Sequence, residues 1–163
     1  MPDISIRELR ASDTDAVVAI AVAAWEPIYG LFREVLGDEA FTTMHPDWQA
    51  DKGQQVRSAC EGDRAAGVFV AETGGRVIGF VTCYADVRPS TGEIGNNAVH
   101  PDFQGRGIGP RLYERAFQCL RERGMRYVMV RTGLDPSHAP ARRAYAKAGF
   151  HTQLPTVTLF REL

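Results

Sequence analysis

A glycine-rich loop between two β-rich runs constrains the fold of this chain more than any other feature of its sequence. Residues 93–99 form a short strand candidate that leads into the loop, and a helical pattern follows over residues 108–123. A further strand candidate covers residues 127–132. A strand-helix-strand crossover is right-handed, so the two flanking strands are predicted to be parallel, with the helix N-terminus at the carboxyl end of the first strand. The sequence therefore predicts an α/β fold.

The loop itself has the chemistry of an anion site. Gly105, Gly107 and Gly109 can adopt positive φ and let a ligand approach the backbone closely. Free N–H groups at the start of the following helix carry a partial positive charge that favours a phosphate. A P-loop is excluded because G-x-x-x-x-G-K-[ST] is absent, and the dinucleotide fingerprint is excluded because Leu112 replaces its third glycine. We therefore expect main-chain groups to hold the pyrophosphate of some other ligand.

The N-terminal third predicts one strand followed by helices. Ile4 and Ile6 alternate with polar residues, which indicates a short first strand. Residues 12–15 have the pattern of a capping box, and the helix that follows is predicted to end at Pro27, because proline disfavours helix in the residue before it. Residues 28–60 are mostly helical in pattern but irregular.

The remaining segments predict a hairpin and a C-terminal helix and strand. Residues 68–73 and 76–84 are β-rich and are joined by Gly74-Gly75, the two-residue turn that a tight hairpin favours. Residues 141–148 are helical in pattern, and residues 156–160 alternate as a last strand.

Two motifs in the C-terminal half resemble those of a known family. Residues 104–109, Gln-Gly-Arg-Gly-Ile-Gly, match the signature Q/R-x-x-G-x-G/A, and residues 141–150 match Ala-x-x-x-Tyr-x-x-x-Gly-Phe. Together they are similar to the GCN5-related N-acetyltransferase (GNAT) superfamily. This resemblance implies a single GNAT-type domain over residues 1–163. Its sheet would be mixed, mostly antiparallel and twisted, splayed at a parallel central strand pair, with helices on both faces.

The resemblance also implies acetyl-CoA as the cosubstrate and assigns residues to it. The residues that would contact acetyl-CoA are Ala98, Val99, Gln104, Gly105, Arg106, Gly107, Ile108, Gly109, His138, Ala141 and Tyr145. Two positions depart from the family pattern. Pro110 has no N–H to offer the phosphates. His138 stands where many relatives have an asparagine, and it either substitutes as a donor or caps the helix.

The implied reaction transfers the acetyl group directly to a primary amine in a ternary complex. Alkyl amines with a pKa of ~10 are mostly protonated at neutral pH, so some group must remove a proton. By resemblance that base is Glu93, acting through water, with Glu26 as a second candidate; alternatively, Glu93 is only an exposed residue at a strand start. Tyr145 would protonate the departing CoA thiolate, or else it packs in the core. The Val99 N–H would polarise the thioester carbonyl where a bulge at residues 95–97 opens the strands.

Other functions are weighed against this reaction. A non-catalytic module that senses acyl-CoA would keep the glycine loop and use Tyr145 only for packing. An acetyl-cysteine intermediate on Cys83 or Cys119 is disfavoured, because both lie in apolar patterns without a histidine partner evident in the sequence. The acceptor is either a small-molecule amine or a protein amine. Four aromatic residues of the irregular segment wall its pocket or pack in the core: Trp25, Tyr29, Phe32 and Trp48.

Composition limits the partners and the location. With 19 basic and 20 acidic residues the chain has no bulk charge that favours nucleic acid or an anionic membrane. Three widely spaced cysteines and the lack of an apolar leader favour the cytoplasm, and no apolar run approaches the ~18 residues expected of a membrane span. No histidine spacing predicts a metal site. Apolar Val157 and Leu159 on the last predicted strand suggest a possible homodimer interface.

Overall fold

The strands of this computed structural model, which describes residues 3–163, cross one sheet in the order in which they occur along the chain. The five strands are β1 (Ser5–Glu8), β2 (Gly67–Thr73), β3 (Arg76–Arg88), β4 (Thr91–Val99) and β5 (Tyr127–Val130). The first four pair antiparallel, and β4 and β5 pair parallel. Five α-helices complete the fold: α1 (Thr14–Leu36), α2 (Asp38–Met44), α3 (Trp48–Glu61), α4 (Ile108–Glu122) and α5 (Ala139–Lys147). Short 3-10 turns precede α1, α4 and α5.

The helices cover both faces of the sheet, as predicted. One core cluster packs α4 and α5 against the sheet through residues such as Ile94, Leu112 and Tyr145. The other packs α1 and α3 on the opposite face around Val17, Val56 and others. The predicted α/β fold, its parallel strand pair and the crossover helix between them are confirmed.

The predicted hairpin is also confirmed, and its two glycines explain why the turn is so tight. Gly74 and Gly75 have φ of 56° and 78°, so both central residues of the turn are left-handed. A two-residue turn of this kind matches the right-handed twist of the flanking strands, and side chains with a Cβ resist it.

The predicted end of the first helix at Pro27 is wrong, because α1 continues to Leu36. Proline inside a helix costs ~3 kcal/mol through the lost hydrogen bond and steric crowding. Contacts beyond the proline offset this cost. Tyr29 stacks on Trp48 of α3 with ring centroids 4.3 Å apart, and it also meets the Phe41 ring edge to face at 6.5 Å.

The predicted capping box at residues 12–15 is likewise wrong, because the N-cap residue of α1 is Asp13 and no side chain caps this helix. Its carboxylate accepts a hydrogen bond from the Arg10 N–H at 2.7 Å and forms an ion pair with Arg7 at 2.6 Å. The hydrogen bond from Arg7 lowers the pKa of Asp13 in spite of burial. Asp13 therefore links β1 to the start of α1, and its bond from the Arg10 N–H caps the short 3-10 turn at residues 11–13.

The last predicted strand, residues 156–160, is absent: residues 151–163 form neither helix nor strand, and their side chains are exposed. Alternating apolar residues are not sufficient for a strand, because its backbone must pair with a neighbour. In the described part of the chain β5 therefore has a free outer edge, and the parallel pair lies at one side of the sheet. The homodimer expected through Val157 and Leu159 stays a prediction.

One helical stretch is longer and more apolar than the sequence reading expected. Within Ala11–Leu36 an 18-residue window has a mean hydropathy of 1.4, so by length and composition alone this stretch could cross a membrane. In the structure Val17, Ile20 and Ala21 of this stretch are buried against the sheet. The core helix of a globular domain has the same properties.

Candidate active site

A bulge in β4 separates the two parallel strands. Val81 pairs with Asn97 and Cys83 pairs with Ile94, so Gly95 and Asn96 together lie opposite one residue of β3. The parallel pairing with β5 ends at Ile94, and the rest of β4 has no partner on that side among residues 3–163. The bulge predicted at residues 95–97 is present, and it opens a gap between the two strands.

Close packing explains why a glycine stands in the bulge. A Cβ on Gly95 would lie 2.5 Å from the Tyr84 ring and 2.6 Å from the Thr82 hydroxyl. The Thr82 hydroxyl also donates to the Asn96 carbonyl at 3.2 Å, which fixes the bulged backbone. The opening is therefore built into β3 and β4.

The Val99 N–H points into this gap. The His100 N–H donates to the Ile78 carbonyl at 2.8 Å, so these two residues form a hydrogen-bonded pair. The neighbouring pair, Gly79 and Val99, is then of the non-hydrogen-bonded type, in which each N–H faces away from the partner strand. Within residues 3–163 the Val99 N–H therefore has no partner strand on the side where the pairing with β5 has ended.

Two of the three loop glycines have the backbone conformation that the sequence suggested. Gly105 and Gly107 have φ of 75° and 73°, whereas Gly109 already has a helical position without positive φ. A Cβ on Gly105 or Gly107 would meet nothing within 4 Å, so glycine is required there by conformation and not by crowding. Gly107 is the N-cap of α4, and buried Ile108 anchors the helix start.

The loop presents N–H groups and cations toward solvent. The first turn of α4 has no internal partner for its N–H groups, and Pro110 removes one of these donors without breaking the helix. The Gln104 side chain donates to the Val99 carbonyl at 3.1 Å and fastens the loop to β4. Arg106 and Arg76 both lie over the Phe103 ring, at 5.1 and 5.5 Å. Arg76, which the sequence reading missed, brings a second cation to the loop.

Tyr145 lies at the gap, with only 7% of its surface exposed. Asn97 donates from Nδ2 to the Tyr145 hydroxyl at 3.0 Å, and the Tyr113 hydroxyl donates to Asn97 Oδ1 at 2.8 Å. The Tyr145 hydroxyl oxygen lies 3.4 Å from Asn97 Oδ1, which is long for a hydrogen bond. The hydroxyl proton is therefore available to another acceptor. Burial raises the pKa of Tyr145, so the phenol stays protonated at neutral pH.

Small residues surround this tyrosine on α5. Ala141, Ala144 and Ala148 are half-buried and pack against the same cluster as Tyr145. That these short side chains leave room for a thin pantetheine chain, as the motif at residues 141–150 implied, stays a prediction.

Glu93 lies on the opposite face of β4 from Tyr145. Ile94 and the Cβ position of Gly92 face α4, so the Glu93 side chain between them points toward the α1 and α3 side. Its side chain is 16% exposed, and the carboxylate forms an ion pair with Arg131 at 2.6 Å. Glu93 is thus neither a free carboxylate nor the solvated residue of the alternative reading. Glu26 is exposed on α1 and has no ion pair within the described chain.

His138 is the N-cap residue of α5, but its side chain does not cap the helix. Its Nδ1 lies 2.6 Å from Asp135 Oδ2, which leaves Nε2 for another partner. Partial burial opposes ionisation of Asp135, but hydrogen bonds from Ser137 and His138 lower its pKa below the usual value. Gly133 permits this arrangement, because a Cβ there would lie 2.2 Å from the Asp135 carboxylate.

Comparison with known proteins identifies the family of this chain. The sequence profile of the Acetyltransferase (GNAT) family matches residues 25–150. The chain belongs to the GNAT acetyltransferase family. The match covers every element from the middle of α1 to the end of α5, including the bulge, the glycine loop and Tyr145.

Individual relatives show which parts are shared. A mycothiol acetyltransferase of Saccharomonospora viridis is 34% identical over 122 residues, which are 65% of this chain but only 39% of that protein. Two crystal structures share the fold at low identity. An aminoglycoside acetyltransferase from an uncultured soil metagenomic sample, in complex with sisomicin, has a TM-score of 0.65 and 17% identity, covering 98% of this chain and 96% of that one. A Brucella melitensis GNAT family acetyltransferase, in complex with acetyl-CoA, has a TM-score of 0.63 and 20% identity, covering 95% and 93%.

The cysteines of this GNAT domain are poorly suited to carry an acetyl group. Cys83 and Cys119 are buried, and Cys60 is half-buried. Burial raises the pKa of Cys60 to about 11 and also raises that of Cys83, so both thiols stay protonated at neutral pH. Since the thiolate is the nucleophile, these side chains are inert.

No cluster of three or more histidine, cysteine, aspartate or glutamate side chains is placed to hold a metal ion within residues 3–163.

The aromatic residues of the irregular segment divide into two groups. Tyr29, Phe32 and Trp48 pack together with Phe41 and His45, while Trp25 lies apart beneath the ammonium group of Lys52.

Proposed function

We propose that this domain transfers the acetyl group of acetyl-CoA directly to a primary amine within a ternary complex. The observation that carries the proposal is the gap beside β4, which brings together the outward Val99 N–H and the phenol of Tyr145. These are the two groups that a thioester needs: a donor for the carbonyl oxygen and an acid for the departing sulfur. The glycine loop would hold the pyrophosphate. Its first glycine, Gly105, lies 6 residues after Val99 at the end of β4.

The proposed chemistry assigns each bond and proton to a place. The amine nitrogen attacks the thioester carbon, and the Val99 N–H stabilises the negative charge that develops on the carbonyl oxygen. The bond between carbon and sulfur then breaks, and the thiolate takes the proton of the Tyr145 hydroxyl. Glu93 lies on the other face of the strand, where it would accept the proton of the amine through water. Exchange with solvent would then return a proton to the Tyr145 phenolate and remove one from Glu93.

A direct test combines binding with initial rates. Calorimetry measures acetyl-CoA binding, and release of free CoA is followed against a panel of primary amines at several concentrations of both substrates. We expect micromolar binding and double-reciprocal plots that intersect, as a ternary complex requires. Parallel plots with an acetylated protein in the mass spectrum would contradict direct transfer. Binding without turnover of any amine would favour the acyl-CoA sensor, and absence of binding would overturn the proposal.

The role of Glu93 gives a prediction about pH. Glu93→Gln should lower kcat/KM about 10²-fold or more at pH 7, because a positioned base contributes about 10²- to 10⁴-fold. This reduction in kcat/KM should become smaller as the pH approaches the pKa of the acceptor ammonium, ~10, because more of the amine is then already neutral. The measurement is a pH profile of kcat/KM for wild type and variant.

A matched control for this substitution is Glu114→Gln, which removes an exposed carboxylate that is ion-paired with Arg121 at 2.9 Å on the outer side of α4. It should leave the profile unchanged. If Glu93→Gln lowers activity by the same factor at every pH, its role is structural and water alone removes the proton.

A further inference from the structure

Lys52 of α3 is a buried cation that the proposed reaction does not use. Only 7% of its surface is exposed, and its ammonium group lies 3.8 Å from the centre of the Trp25 ring. It donates to Asn96 Oδ1 at 2.6 Å and to Gln55 Oε1 at 2.9 Å. All three partners are neutral, and none of the ion pairs within residues 3–163 includes Lys52.

A buried charge without a counter-ion is costly and calls for an explanation. Burial lowers the pKa of Lys52 to about 8, which is still above neutral pH, so the amine is mostly charged. Amide oxygens and an aromatic face stabilise an ammonium ion only in part. A carboxylate brought by a ligand would supply what the protein lacks.

The position of Lys52 connects it with the acceptor side of the site. Asn96, which it contacts, and Asn97, which holds Tyr145, are neighbours on β4 and point to opposite faces of the sheet. The glycine loop and Tyr145 place acetyl-CoA on the α4 and α5 side, so the amine has to approach from the α1 and α3 side. Lys52 and Trp25 stand on that side, and Glu93 there is already paired with Arg131.

One of the ligands of Lys52 can be exchanged. Gln55 is an exposed residue whereas Lys52 is buried, so the Gln55 amide is the partner of the ammonium group on the solvent side. Asn96, in contrast, is fixed in the bulge of β4. An incoming anion would therefore take the place of the Gln55 oxygen.

We infer that Lys52 binds an anionic group of the acceptor, in the place of the Gln55 side chain, and that the acceptor is a small amine that also carries a carboxylate. This inference rests on the proposed acetyl transfer and adds the class of acceptor. The same unpaired cation repels polycationic amines, so an aminoglycoside is a poor acceptor even though a structural neighbour binds sisomicin.

The test compares acceptors that differ only in the anionic group. A series of α- and ω-amino acids is assayed against the corresponding amino amides, with a polyamine and an aminoglycoside included. Rates are expressed per concentration of neutral amine, which removes differences in amine pKa. Wild type should prefer at least one acid over its amide by about 10- to 100-fold in kcat/KM, mainly through KM.

Two variants identify the residue responsible. Lys52→Met keeps the length and the contact with Trp25 but removes the charge; it should abolish the preference for the acid while leaving turnover of the amide and acetyl-CoA binding in place. Gln55→Ala removes the competing oxygen and should lower the KM for the acid but not for the amide. A purely structural role for Lys52 would change acid and amide equally.

The outcomes separate the inference from the function on which it rests. If the enzyme acetylates amides, polyamines or aminoglycosides as fast as amino acids, the inference is wrong and acetyl transfer stands. If acetyl-CoA binds but no amine is acetylated, both fail. Should Lys52→Met not fold, the selectivity of wild type and the effect of Gln55→Ala still decide.

Discussion

Tyr145→Phe is expected to lower kcat by about 10²- to 10³-fold while acetyl-CoA still binds, because a positioned acid contributes on this order to bond breaking. An alkyl thiol such as that of CoA has a pKa of ~8.5, by analogy with cysteine. A thiolate that leaves into a site without water is poorly stabilised, so it needs a proton as the bond between carbon and sulfur breaks. Tyr145 is the acid nearest the gap, and its proton has no short acceptor within the described chain. The measurement is single-turnover CoA release, together with calorimetric titration of acetyl-CoA.

The fold should tolerate this change. Without the phenol oxygen, Asn97 still donates to the Gly95 carbonyl at 3.0 Å and still accepts from Tyr113. The phenyl ring keeps its contacts with Tyr113 and Phe150. We therefore expect the free energy of unfolding to change by about 1 kcal/mol or less.

Tyr113→Phe is the matched control, since it removes the other hydroxyl that contacts Asn97. It should lower kcat much less, because Tyr145 remains in place. Burial raises the pKa of Tyr145, so in the wild type the phenol stays protonated at mildly alkaline pH. Ionisation of Tyr145 should therefore not lower kcat between pH 7 and 9. A Tyr145→Phe variant with nearly full kcat would reduce Tyr145 to core packing.

The parts of this site that are close in sequence could be predicted, and their physics is local. Positive φ at Gly105 and Gly107, the helix that follows and the parallel pairing of β4 with β5 each depend on a short stretch of chain. Chemistry that a residue carries by itself, such as the missing N–H of Pro110, is also visible in the sequence. The structure changes only the reading of Gly109, which needs no positive φ.

The bulge explains why Asn97 was not predicted. Counting in steps of two from buried Ile94 assigns Asn96 to the α4 face and Asn97 to the other. The extra residue in the bulge reverses this assignment, so that Asn97 meets Tyr145 while Asn96 meets Lys52. Sequence periodicity shows that a bulge is plausible at Gly95 but does not determine which residue is inserted.

Long-range contacts explain the other differences. The cost of Pro27 is local and predictable, whereas the aromatic contacts that offset it come from α2 and α3. Lys52 reads as one of many surface cations until Trp25 and Asn96, which are 27 and 44 residues away in sequence, are brought to it. The apolar alternation at residues 156–160 indicates a strand, but pairing depends on a neighbouring edge that the pattern cannot supply.

Gly107→Ala should weaken acetyl-CoA binding by about 10- to 100-fold, because the N–H groups around the α4 N-cap can contact the pyrophosphate only with this backbone conformation. Gly107 has φ of 73°, and a Cβ meets no atom within 4 Å, so alanine fits sterically but resists the left-handed conformation by ~1–2 kcal/mol. The loop would relax toward negative φ and turn its donors away. Calorimetry with acetyl-CoA and with CoA measures the effect.

Gly124→Ala separates the loss of donors from general strain. Gly124 has φ of 78°, follows the C-terminal end of α4 and has equally open space around its Cβ position. Both variants should lose a similar ~1–2 kcal/mol in the free energy of unfolding, measured by denaturant titration. Only Gly107→Ala should lose affinity for acetyl-CoA, since only that glycine lies at the helix N-terminus where the phosphates are proposed to bind. Equal affinities for the two variants would mean that side chains such as Arg76 and Arg106 carry the phosphate contacts instead of the backbone.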